Sequence, residues 1–115
     1  MAGTAFLPWE EWLARLLHPV YVAIRRALHR KQRSQDLHES EGWPEAEGTI
    51  HSKKWDSSLP REELVYSYST NGGYYSGSHW VWFERSEAHE VKVGDRMVLR
   101  YRPGKPDESV FLRFV

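Results

Sequence analysis

The chain has 115 residues and 16 Lys/Arg against 16 Asp/Glu, so its net charge is zero and no global field draws it to nucleic acid or to a membrane. There is no cysteine, which excludes disulfides, thiolate zinc sites and cysteine nucleophiles. The length fits one domain with at most an appendage, and an aromatic content of 14% suits a small core of large side chains.

Residues 1–31 read as an amphipathic helix. Pro8 suits a first helical turn, and Glu10 and Glu11 suit the positive end of the macrodipole. Trp9, Trp12, Leu13, Leu16, Leu17, Val20, Ile24 and Leu28 recur at helical spacing. Arg25, Arg26, Arg30 and Lys31 favour the C-terminal end. Pro19 predicts a kink, or two short helices meeting near His18. Residues 1–35 carry six Lys/Arg against two Asp/Glu, and all six cations lie between Arg15 and Arg33 with no acid among them. The longest uncharged apolar run, Leu16–Ile24, is too short to span a bilayer, which takes about 20 residues. The start of the chain lacks a basic n-region, so no signal peptide is expected, and the expected location is cytoplasmic or peripheral to a membrane.

Residues 32–42 are polar and unpatterned and read as a linker. Residues 43–115 read as an antiparallel β domain, a small barrel or curled sheet of about five strands. Its first strand is expected over 47–55, with a loop at 56–61. A long hairpin follows over Leu64–Phe83, closed at Asn71-Gly72, since a type I′ turn needs positive φ at both central residues. That turn opposes Thr70 to Gly73 and Tyr68 to Tyr75. Leu64, Tyr66, Tyr68, Tyr75, Gly77, Val81 and Phe83 then share a core face. Tyr74, Trp80 and Trp82 stand among serines on the other. A short helical turn is expected through Glu87-Ala88-His89, then a turn at Gly94-Asp95. A strand over 96–102 places Met97, Leu99 and Tyr101 together. A loop at 103–107 precedes a last strand over 109–114, with Val110, Leu112 and Phe114 on one face.

The order Trp43-Pro44, Gly48, Ile50, Tyr66, Tyr68, Asn71-Gly72, Tyr75, Gly77, Gly94, Val98, Tyr101, Pro103 and Pro106 resembles a widespread bacterial domain family of unknown function. Its pattern is W-P-x-x-x-G-x-I, a Y-x-Y strand, a turn with Asn or an acidic residue beside Gly, and V-G-x-x-V-x-V-x-Y-x-P-x-x-P. The likeness covers about residues 43–113. Such domains usually sit beside transmembrane helices, so the resemblance implies membrane association. It supplies no catalytic residues. The present chain departs from it in having a charged N-terminal helix.

No catalytic motif, metal box or nucleotide loop stands out, and no cofactor is expected. The six histidines include no i, i+4 pair, and His79 reads as a rim residue. Glu62 and Glu63 point to opposite faces of a strand and suit solvation better than acid–base work. Two surfaces could bind something. Tyr74, Trp80 and Trp82 could stack on a sugar or another small ligand, or could be covered by the N-terminal helix. That helix, with Trp9 and Trp12 and the basic Arg25, Arg26 and Arg30, suits a membrane interface, docking on the sheet, or contact with a protein partner or second copy. The sequence thus predicts a non-enzymatic interaction or accessory module, with a small-ligand-binding domain as the alternative.

Overall fold

The computed structural model describes residues 8–83 and 91–115, with side chains from Arg15 onward. One helix, α1 (Pro8–Glu39), precedes five strands: β1 (Glu45–Trp55), β2 (Arg61–Thr70), β3 (Gly73–Trp82), β4 (Arg96–Arg102) and β5 (Lys105–Phe114). Two compact units divide the chain, one ending at Gln32 and the other running from Arg33 to Val115. The helical turn expected through Glu87-Ala88-His89 lies outside the described residues.

Helix α1 runs 32 residues and passes through Pro19 as one element. It also continues to Glu39, where a linker was expected from residue 32. The segment Gln32–Glu39 has no apolar period, but it holds fair helix formers and no Gly or Pro. Its last turns belong to the β-containing unit and are fixed there by polar contacts. Arg33 donates from its guanidinium to the carbonyls of Phe111 and Leu112. Arg100 donates to the Leu37 carbonyl and the Ser40 hydroxyl, both at 3.3 Å, placing a cation at the negative end of the helix. Ser40 is wholly buried. Gly42, at φ +83°, then turns the chain toward β1, a conformation glycine adopts without strain.

The five antiparallel strands form a nearly closed, barrel-like sheet in the order β3-β2-β1-β4-β5. Strands β4, β1, β2 and β3 lie side by side in Greek-key order, and β5 returns along β4. Each hydrogen-bonded pair is antiparallel, so β3 and β5, four steps apart, run parallel where they face each other. Their closeness shows in the His79 and Phe111 rings, stacked at 4.0 Å.

The central hairpin has the expected register, with Thr70 opposite Gly73 and Tyr68 opposite Tyr75. Asn71 and Gly72, at φ +50° and +78°, make the turn. Alternation then buries Leu64, Tyr66 and Tyr68 with Ile50, Val91, Met97, Leu99 and Phe111. Burying these side chains contributes on the order of 1.5–3 kcal/mol each relative to exposure.

Bulges change two faces. In β1 an extra residue, His51, falls between the pairs Ile50–Tyr66 and Ser52–Val65. In β5, Val98 pairs with Arg113 while Leu99 pairs with Phe111, leaving Leu112 extra. The bulge puts Phe111 in the core, in place of the expected uninterrupted face of Val110, Leu112 and Phe114. It is the carbonyls of Phe111 and Leu112 that Arg33 takes up.

Candidate functional site

The outer face of β2 and β3 carries the aromatic residues singled out from the sequence. Strand alternation separates them from the core, but it does not gather them. Tyr74 sits beside the hairpin turn, 77% exposed, and its hydroxyl donates to Ser67 Oγ at 3.0 Å. Trp80 and Trp82 lie six and eight residues further along, about 20 Å or more at roughly 3.3 Å per residue. The three do not form one platform. Trp80 and Trp82 are half-buried. Arg61, paired directly with Trp82, places its guanidinium 3.9 Å from the Trp80 ring centroid and 5.5 Å from that of Trp82. Asp56 accepts from Arg61 Nε at 2.8 Å and fixes that guanidinium. The Ser58 backbone N–H and hydroxyl also donate to Asp56. These donors, the backbone N–H foremost and then Arg61, hold the Asp56 carboxyl well below the usual range.

A second feature is a cleft of about 390 Å³ beside the β3–β5 seam. It is lined by Asp36 and Glu39 from the end of α1, by Trp43, by Ser78 of β3, by Arg102 and by Asp107 to Val110 of β5. The β4–β5 pairing explains the opening. Arg102 pairs with Lys105, but the next pair is Tyr101 with Ser109, so Pro106, Asp107 and Glu108 loop out of the ladder. Glu108 accepts from Arg102 and from Lys105, each at 3.0 Å, which lowers its pKa, the Lys105 hydrogen bond most. The Arg102 guanidinium also lies 5.3 Å from the Trp43 ring centroid. On the inner side Tyr66 and Ser109 share a hydrogen bond of 2.7 Å, and Tyr68 donates to the Pro106 carbonyl at 2.5 Å. Burial pushes both tyrosine pKa values up. Among the described residues, no group of three or more His, Asp or Glu is placed to hold a metal ion. His79 packs on Phe111 at the seam.

The third feature is α1 itself. Leu16, Leu17, Val20, Tyr21, Ile24 and Leu28 are 47–59% exposed. Around a helix of 3.6 residues per turn they occupy one stripe roughly 140° wide. Val22, Arg25, Arg26 and His29, which are half-buried, lie on the other side, and Arg30 is exposed. The side chains of Trp9 and Trp12 lie outside the described residues. No helix of the described residues is long and apolar enough to cross a membrane.

Sequence reasoning missed the cleft, because its walls come from residues 36 to 110 and only the fold assembles them. It also missed Arg61, whose sole signal is its position across from Trp82 in the register. Comparison with protein-family models, curated proteins and solved structures finds no match.

Proposed function

We propose that this protein is a non-enzymatic interaction module held at a membrane surface by the apolar stripe of α1. The observation that carries this reading is the exposure of six large apolar side chains on one face of a helix with a basic segment. Such a face lies in the headgroup region with its cations near anionic lipid, each worth about 1 kcal/mol. A two-stranded coiled coil uses a narrower seam, so the width of the stripe favours a lipid surface over a second copy. The resemblance of the motif order over residues 43–113 to a bacterial domain family that usually sits beside transmembrane helices points the same way.

A sugar-binding role has less support. A five-stranded, partly open Greek-key barrel is also the layout of OB-type barrels, which bind ligands across strands 2 and 3. Layout alone does not carry function. On this chain Arg61 already occupies the Trp80 face, and Tyr74 is remote from it.

Cosedimentation of the full chain with phosphatidylserine-containing vesicles tests the proposal. Binding at low salt, release as salt rises and loss in Ile24→Glu are expected. No vesicle binding at low salt overturns it. Self-association in sedimentation velocity, abolished by the same substitution and without vesicle binding, would assign the stripe to a second copy.

A further inference from the structure

The cations between Arg15 and Arg33 do not share one side of α1. At 3.6 residues per turn each residue advances about 100° around the axis. Measured from the midline of the exposed stripe, Arg25 falls about 110° to one side and Arg30 about 110° to the other. Each stands about 40° beyond an edge of the stripe. Lys31 falls about 10° from the midline, one turn past Leu28, where the stripe ends. Arg15 and Arg26 fall about 150–170° away, on the opposite side of the helix. Arg33 is engaged by the carbonyls of Phe111 and Leu112. On the membrane reading of α1, on which this site rests, we propose that Arg25, Arg30 and Lys31 form a headgroup site for singly charged acidic phospholipids around Leu28, each cation meeting the phosphate of a separate lipid.

Geometry and charge select this occupant. With the stripe in the acyl boundary, the flanks of the helix lie at headgroup level. A long basic stem runs along apolar surface and carries its charge up to the phosphate layer, which Arg25 and Arg30 do from the flanks and Lys31 from the end of the stripe. A guanidinium bonds a phosphate through two parallel N–H donors. No Asp or Glu lies between Glu11 and Asp36, so no carboxylate of this stretch competes for the three cations. Arg15 and Arg26 stand roughly a helix diameter, about 10–12 Å, further from the lipid. That is about a Debye length at 0.1 M salt, so their pull on the headgroups is largely screened. The three flanking and terminal side chains leave the axis about 100–140° apart and do not converge. A single polyphosphorylated headgroup therefore finds no pocket here, and the surface responds to the density of singly charged lipids.

Partition of the full chain onto phosphatidylcholine vesicles doped with phosphatidylglycerol tests the proposal, using two double variants of equal charge. Arg25→Gln, Arg30→Gln removes the flanking pair, and Arg15→Gln, Arg26→Gln removes the far pair. At about fivefold per cation, the flanking variant should bind at least tenfold more weakly than the wild type. The far variant should stay within about twofold of it. Arg25→Lys, Arg30→Lys keeps the charge and should recover most of the binding, so that the loss reads charge rather than fold. Vesicles with phosphatidylinositol bisphosphate in place of phosphatidylglycerol, matched in zeta potential, should bind within about twofold as well. Equal loss in the two double variants, or no recovery with lysine, overturns the assignment of the flanking cations. A tenfold preference for phosphatidylinositol bisphosphate at matched potential overturns the separate-lipid site. Absence of wild-type binding to any of these vesicles overturns the membrane reading itself, and the site with it.

Discussion

Tyr66 of β2 and Ser109 of β5 are joined by a 2.7 Å hydrogen bond inside a seam where the flanking strands share no ladder. Tyr66 is wholly buried, and Gly77 lies against its ring. Removing the hydroxyl in Tyr66→Phe should cost about 1 kcal/mol, measured as a lower urea midpoint at pH 7. The raised pKa sets a sign. Stability from this group is fully present below the ordinary tyrosine pKa of about 10 and is lost as pH rises through the higher folded value. Urea midpoints from pH 8 to 11 should fall more steeply in the wild type than in Tyr66→Phe.

Asp56 gives the opposite dependence. Its pKa is depressed, so its contribution is present above the unfolded value of about 3.9 and disappears as pH falls below it. The Asp56→Asn protein should lose less stability between pH 5 and pH 2 than the wild type does. Parallel acid-unfolding curves for the two would refute the assignment.

Two glycines are held by close packing. A Cβ on Gly77 would sit 2.5 Å from both Ser109 Oγ and Tyr66 OH, and one on Gly48 would sit 2.9 Å from the Ser67 carbonyl. Either Gly→Ala change should cost about 1–3 kcal/mol through overpacking. Gly42→Ala meets no atom within 4 Å, so its cost is that of strained backbone alone. Thermal melts of the three variants separate the two causes.

Arg33 docks the end of α1 on β5. Arg33→Met keeps much of the stem and removes the donors to Phe111 and Leu112, each such charged bond being worth about 1.5–3 kcal/mol. Amide exchange should quicken over residues 33–40 in that variant, and Arg33→Lys should recover part of the protection.

The sequence makes the hairpin legible because Asn71-Gly72 fixes the turn and alternation then fixes every face as far as Trp82. It leaves Phe111 unread, since a single extra residue at Leu112 reverses the strand's faces and carries no glycine to announce it. The helical tail over 32–39 is equally silent, because Arg33 and Ser40 anchor it by hydrogen bonds and no apolar period runs through it. The cover on Trp80 follows from a cross-strand arginine, which becomes visible only once the register is known.

The strand count has a consequence of its own. An even number of antiparallel strands can close a barrel with every neighbour antiparallel. Five cannot, so the last pair must run the same way, and here that pair is held by side chains alone. Opening along this line would break no main-chain ladder. The barrel therefore has a built-in parting line, and slow breathing of the whole β unit should begin there, with the two hairpins on either side moving as intact leaves.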